Sequence, residues 1–471
     1  MNIKQKLYMD ITLLAINWPS VGLKVAQLLL SLSILVILHE FGHYITAKWF
    51  KCRVEKFYLF FDPWFSLFKK KIGDTVYGIG WLPLGGYVKI SGMVDESMDK
   101  ETLKLPPQPW EFRSKPAWQR LIIMLGGVTV NVLLAFVIYA GILMTWGRDR
   151  MPNQSIKNGV WVTDSLMYEI GLRDGDKIIA VNNDSIQYFE DIPKKILFSG
   201  GGKINILRNG KDTSVEIPRS LIGQLVEKKK SKGRLFLPRI PAIVGEYEKN
   251  DTSNAKKAGL LYGDKIIKVD SLSINYFDEA TAYYGTKKKQ KVTLTVERKG
   301  AQILIPVQLD EDGKTGAPFL TNKEYHNLGV LKIEHTDYGF FAAFPAGFNL
   351  AVTSLKDYID QFKLILSPST GGYKAVGGFK TMGSVFSGTE WDWQRFWEMT
   401  AMFSIILAFM NLLPIPALDG GHVVFTLGEM ITGRKPNEKF LEYAQIVGMV
   451  ILLALMLYAN GNDWFGWGKG K

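Results

Sequence analysis

His39-Glu40-Phe41-Gly42-His43 places two imidazoles and a carboxylate within five positions. On a helix, residues four apart share a face, so His39 and His43 can present nitrogen to one metal ion. Glu40 follows the first histidine and lies within reach of a water held there. Neutral imidazole and carboxylate suit zinc, which turns water into a nucleophile at neutral pH. The same spacing also arises by chance in chains of this length, so its surroundings decide its meaning.

Those surroundings are apolar. The 471-residue chain has 22% charged residues and a formal charge of +12, with a mean hydropathy of +0.03. The average hides four apolar stretches of 18 to 26 residues, Val25–Ala47, Leu121–Trp146, Met399–Leu418 and Tyr443–Asn460, while residues 150–390 are mixed and charged. Stretches of this length match a bilayer core of about 30 Å at 1.5 Å per residue. Only 14 residues separate Lys24 from His39, so the first helix reaches bilayer length only if it contains the motif. Ionisable groups at that depth are costly unless they bind something or face a cavity. A signal peptide is the other reading of this stretch, but it lacks a small-residue cleavage site.

Lysine and arginine in short loops set the orientation. Lys48, Lys51, Arg53, Lys56, Lys69–Lys71, Arg113, Lys115 and Arg120 follow the first stretch, and Arg434, Lys435 and Lys439 follow the third. Both loops are expected on the cytoplasmic side, and both termini and residues 150–390 outside, although Lys4 and Lys6 pull the other way. This asymmetry accounts for the positive charge, and no nucleic-acid recognition motif accompanies it. Cys52 is the only cysteine, so neither an intrachain disulfide nor a cysteine metal cluster is available.

A catalytic zinc needs a third protein ligand. His326 and His335 fall in the outer region. The third stretch ends Asn411-Leu-Leu-Pro414-Ile-Pro416-Ala-Leu418-Asp419-Gly420-Gly421-His422. Pro414 and Pro416 forbid a continuous helix, and unwound backbone at membrane depth must be buried in protein or line a wet cavity. Asp419 is placed there to meet the first helix, with His422 as the competing donor and a plain turn as the simplest use of Asp419-Gly420-Gly421.

The middle of the chain repeats. Gly171-Leu-Arg-Asp-Gly175-Asp176-Lys177-Ile178-Ile179 recurs 88 residues later as Gly259-Leu-Leu-Tyr-Gly263-Asp264-Lys265-Ile266-Ile267, and Tyr188-Phe189 recurs as Tyr276-Phe277. Self-similarity of this kind marks two copies of one module. The unit resembles the PDZ domain, a fold that captures peptide by strand addition. Spacers without a ligand are the plainer reading.

Taken together, the chain resembles the site-2 protease family (peptidase M50), of the bacterial regulator-of-sigma-E-protease type. The match runs over nearly the whole length: His-Glu-Phe-Gly-His in the first helix, tandem PDZ modules between the second and third, and Asn-x-x-Pro-x-Pro-x-Leu-Asp-Gly in the third. The resemblance implies zinc held by His39, His43 and Asp419, Glu40 as general base, and Asn411 and Pro416 near the substrate. Gly78–Lys89 is similar to the family's re-entrant loop, which implies that Gly85 and Gly86 lie on a strand edge that pairs with extended substrate; a tight turn is the alternative there. Gly127-Val128-Thr129-Val130-Asn131 departs from the family's Gly-Pro-x-x-Asn. It keeps Asn131, expected toward the substrate, but leaves the local helix geometry open.

The expected architecture is a polytopic α-helical membrane protein of about four transmembrane helices with two inserted PDZ-like α+β domains. Residues 1–148 hold the first span (about 22–47), a cytoplasmic re-entrant β region (about 50–115) and the second span (about 119–146). Residues 150–238 and 239–330 form the two modules. Residues 337–390 are amphipathic, with Tyr358, Phe362 and Leu366 at helical spacing, and either lie on the outer leaflet or pack on the second module. Residues 395–471 hold the third (about 397–418) and fourth (about 441–460) spans.

The expected function is a zinc metalloendopeptidase of the bacterial inner membrane. It would cut single-span proteins such as an anti-sigma factor or remnant signal peptides after outer trimming, with its site toward the cytoplasmic half. Its partners would be membrane-spanning substrates, the lipid bilayer and peptide termini at the modules, without nucleic acid. A catalytically silent PDZ scaffold is the rival, and so is a soluble-type zincin tethered to the membrane, although the latter would carry its histidines outside.

Overall fold

The structure, a computed structural model, describes residues 17–93, 106–228 and 234–467. Lys4, Lys6 and residues 94–105 of the expected re-entrant region lie outside these. The contacts divide the chain into two units. One comprises the chain up to Gly147, Asp337–Lys363 and the chain from Val376 onward; the other comprises Arg148–Thr336 and Leu364–Ala375.

The first unit is built on helices. Helix α1, Trp18–Trp49, starts where the Asn17 side chain accepts the Ser20 amide, and its 32 residues contain the whole His-Glu-Phe-Gly-His segment. Strands β1 (Val54–Ile72) and β2 (Thr75–Ile90) follow. Their register pairs residues 56–59 with both 86–89 and 76–79, while 66–72 pairs back onto 75–80. Residues 54–59 therefore sit inside a small sheet, with 86–90 at one margin. Helix α2, Ala117–Trp146, runs unbroken through Val128, so a regular helix stands where the family pattern has proline. A Cβ on Gly42 would come within 2.3 Å of the Gly126 carbonyl oxygen, and one on Gly126 within 2.5 Å of the Gly42 oxygen. Helices α1 and α2 therefore meet backbone to backbone, as small residues permit in membranes.

Helix α3, Phe340–Leu366, lies within the segment expected to be amphipathic. Ala343, Gly347 and Ala351 recur every four residues and are buried; a Cβ on Gly347 would stand 2.7 Å from the Ala140 nitrogen. This stripe of small residues lets α3 pack lengthwise on α2, where the Tyr139 and Ser354 hydroxyls meet at 3.0 Å. Tyr358 and Phe362 pack edge-on against Phe409.

Phe409 belongs to α4, Trp393–Asn411. The expected third span ends early because proline cannot donate to the preceding turn: residues 412–418 form turns, and a new helix, α5, covers Asp419–Thr432. Helix α6 covers Glu438–Phe465. Among the described residues, three helices are long and apolar enough to cross a membrane, Trp18–Trp49, Ala117–Trp146 and Lys439–Phe465. Helix α4 falls short because Gln394, Arg395 and Glu398 occupy its first turns.

The second unit contains two four-stranded sheets of the same strand order. In the first, strands lie in the order 184–185, 177–181, 202–208, 211–217; in the second, 272–273, 265–269, 291–298, 301–308. Each covers its own apolar core, with Ile178, Val181, Ile204 and Ile206 in one and Ile266, Val269, Leu294 and Val296 in the other. The repeated Gly-x-x-x-Gly-Asp sequence has a shared cause. Asp176 accepts the Arg173 amide and a two-pronged Arg208, whose guanidinium also reaches the Gly171 carbonyl. Asp264 accepts the Leu261 amide and Arg298, which reaches Gly259 in the same way.

Candidate active site

Three side chains from two parts of the first unit converge. His39 and His43 are buried on α1, and Asp419 is the first residue of α5, where the helix dipole favours a carboxylate. Nε2 of His39 lies 3.3 Å from Nε2 of His43, and Asp419 Oδ2 lies 3.3 Å from each of these nitrogens. Tetrahedral zinc with bonds of about 2.0–2.1 Å holds its ligand atoms about 3.3 Å apart. Asp419 Oδ2 has no hydrogen-bond partner beyond the two imidazoles. The donor set, its spacing and this otherwise orphaned oxygen all fit zinc. Among the described residues these three form the cluster of metal-ligating groups; His422, three residues further along α5, is not in it.

The helices also fix which nitrogen each ring offers. His43 Nδ1 lies 2.9 Å from the Ile123 carbonyl oxygen, which can only accept, so Nδ1 carries the proton and Nε2 is left for metal. His39 Nδ1 lies 3.0 Å from the Asn131 side-chain amide. If Nε2 of His39 is given to a metal, its Nδ1 is protonated and donates. The amide must then turn its oxygen to the ring, and Oδ1 is the end that otherwise lacks a partner. Gly127 completes the cradle: a Cβ there would sit 2.4 Å from His43 Nε2 and 2.6 Å from His39 Cε1.

Glu40 lies outside the three-donor cluster, half-buried beside the sheet margin, where its carboxylate accepts the Val88 amide. A Cβ on Gly86 would meet Val36 and the Tyr58 carbonyl at 2.7 Å, and the Glu40 side chain at 3.6 Å. Gly85 lies against the Phe61 ring. The margin of β2 therefore runs past Glu40 because Gly86 lets its backbone close on α1. Asn411, at the end of α4, has its amide 3.3 Å from His39 Nε2. Pro416 lies half-buried in the turn between α4 and α5, against Gly421. Asn131, expected toward the substrate, is buried with its side-chain amide 3.0 Å from His39 Nδ1.

The model for peptidase family M50 matches residues 27–455. The chain belongs to this family. A protein of Rickettsia conorii named as a zinc metalloprotease is 28% identical over 94% of this chain and 98% of its own length. One of Treponema pallidum is 27% identical over 92% and 96%, and one of Campylobacter jejuni 28% identical over 92% and 91%. The family of site-2 proteases and the apolar helices make the chain an integral membrane zinc metalloprotease.

Sequence reasoning missed Gly127, the Ile123 carbonyl and the Val88 amide. The Gly126-Gly127 pair inside an apolar stretch is the one signal that was available, since glycine there costs helix stability unless something must come close.

Proposed function

We propose that this protease cuts single-span membrane proteins inside the bilayer, on chains already trimmed outside. His39, His43 and Asp419 hold the zinc, and Glu40 is the general base. The observation that carries this reading is the set of three equal 3.3 Å separations within helices and turns of a membrane unit.

Zinc held there supplies a Lewis acid that activates water and polarises a carbonyl. Glu40 takes the proton from the attacking water and returns it to the leaving amine. A peptide bond in a helix is shielded by its own turns, so the substrate must be drawn out. Residues 86–90 pair with 54–59 on one edge and carry no strand on the other among the described residues, and an extended segment added to that outer edge would run past Glu40 with its backbone satisfied by strand pairing. Asn411, with its amide 3.3 Å from His39 Nε2, and Pro416, in the turn before Asp419, hold the substrate beside the metal ligands.

The loop charges support an inner-membrane protein with termini and modules in the periplasm and the site toward the cytoplasmic half. The two modules of the second unit are read as PDZ-like and restrict access to trimmed chains. Anti-sigma factors and remnant signal peptides are the substrate classes this reading favours.

The test is cleavage of a model single-span substrate by wild type and Glu40→Gln in liposomes. Loss of cleavage with zinc retained is expected; undiminished cleavage contradicts the assigned role of Glu40.

A further inference from the structure

One face of α2 touches both histidines. Ile123, Gly127 and Asn131 are spaced four apart: the first receives His43, the second leaves room for both rings, and the third holds His39. Arg120 lies three residues before Ile123 on the same face. Its guanidinium Nη2 donates to Glu429 Oε1 at 2.5 Å, and each side chain is only 11% exposed. Nε of Arg120 donates to the Lys115 carbonyl at 3.1 Å, which fixes the fork from its own end. Glu429 belongs to α5, ten residues after Asp419, about 15 Å along that helix.

The Arg120–Glu429 pair is a direct polar tie between α5 and α2. The first residue of α5 follows the turn broken by Pro414 and Pro416, and Asp419 Oδ2 meets nothing polar but the two imidazoles. Among the described residues Glu429 Oε2 has no hydrogen-bond partner, and its Oε1 takes Arg120 alone. Val423 packs in the apolar cluster of Ile123 and Met124, a contact that sets distance without fixing position along the helix. A nearly buried, directional ion pair supplies what is missing, and breaking one side of such a pair leaves an uncompensated charge.

We propose that Arg120 and Glu429 are positioning residues for the metal site: their ion pair locks α5 onto α2 so that Asp419 completes the ligand set that α2 already orients. The proposal rests on the reading of Asp419 as a zinc ligand. It makes α2 the common reference for all three ligands, with the two histidines held directly and the carboxylate held through three turns of α5.

The test measures zinc affinity of the purified full-length protein by chelator competition, alongside thermal unfolding of the metal-free form. Glu429→Gln is expected to weaken zinc binding by about 10-fold or more, the range found when groups that orient metal ligands are removed. Asp419→Ala is expected to weaken it in its own right. Adding Glu429→Gln to Asp419→Ala should cause no further loss, because no carboxylate remains to be placed. Unchanged affinity in Glu429→Gln, with loss in Asp419→Ala, overturns the positioning role alone. Unchanged affinity in Asp419→Ala removes the ligand reading and the positioning role with it. An additive loss in the double variant also overturns the proposal, since the pair would then act on the fold without passing through Asp419. Should Glu429→Gln fail to fold, Arg120→Lys, which keeps the charge and loses the fork, decides by the same measurement. Weakened zinc binding is expected, and wild-type affinity overturns the proposal.

Discussion

Asn131 meets His39 Nδ1 at 3.0 Å beneath the ring, on the side away from the nitrogen that faces His43 and Asp419. A buried amide in that place selects the tautomer and fixes the ring plane. Asn131→Ala should therefore lower zinc affinity by about 10- to 100-fold with little change in substrate KM. Chelator competition and steady-state kinetics on the same preparation check both halves; a rise in KM with zinc binding intact would return Asn131 to the substrate side.

Gly127 and Gly141 lie on the same helix in opposite circumstances. A Cβ at 127 would intrude 2.4 Å from His43 Nε2, whereas one at 141 meets nothing within 4 Å. Gly127→Ala is expected to abolish zinc binding and cleavage. Gly141→Ala should leave both unchanged and stabilise the helix by about 0.5–1 kcal/mol. Zinc analysis and thermal unfolding of the two variants, measured together, separate local crowding from helix propensity.

The margin strand gives a different outcome. Gly86→Val would press a side chain onto Val36 and the Tyr58 carbonyl, moving the strand away from Glu40 without touching a proposed metal ligand. Cleavage of a membrane substrate should fall by at least about 10-fold while zinc content stays at the wild-type level, because a displacement of about 1 Å far from the chemistry already costs up to about 100-fold. Loss of zinc in parallel would mean that the sheet supports the metal site itself.

In the second unit, Asp176 is 1% exposed on its side chain while Arg208 is 35% exposed. Asp176→Ala strands the Arg173 amide and the guanidinium, which should cost on the order of 2–3 kcal/mol. Hydrogen exchange of the full-length chain should show faster opening over the strands at 177–181 and 202–208, and Asp264→Ala should do the same at 265–269 and 291–298. Unaltered protection in both would remove the carboxylate from its structural role.

Much of the site was legible because rare residue types were confined to places that make them costly. Two histidines and a glutamate inside an apolar stretch, and an aspartate after two prolines, narrow the choices before any geometry is known. Pro414 and Pro416 signalled for the same reason that the helix could not continue, although the expected span ran to 418 and α4 ends at Asn411. The unit 2 repeat was visible because a buried Asp–Arg pair demands the same turn twice. What stayed hidden was of two kinds. Backbone groups such as the Ile123 carbonyl and the Val88 amide carry no residue signature at all. Contacts such as Gly42–Gly126, Gly347–Ala140 or Arg120–Glu429 depend on which helix faces which, and helical periodicity fixes a face without naming its partner. In α3 the aromatic spacing of Tyr358, Phe362 and Leu366 was visible, whereas the small residues Ala343, Gly347 and Ala351 that dock it were not singled out.

The proposed metal centre is one zinc ion held between α1 and α5 by His39, His43 and Asp419. Its most direct measurement is the zinc stoichiometry of the purified protein, wild type against Asp419→Ala, after dialysis at a fixed free-zinc concentration. One equivalent in the wild type and a loss of most of it in Asp419→Ala is the expected result. Full zinc in Asp419→Ala, or no zinc in a wild-type protein that still cleaves, would contradict it.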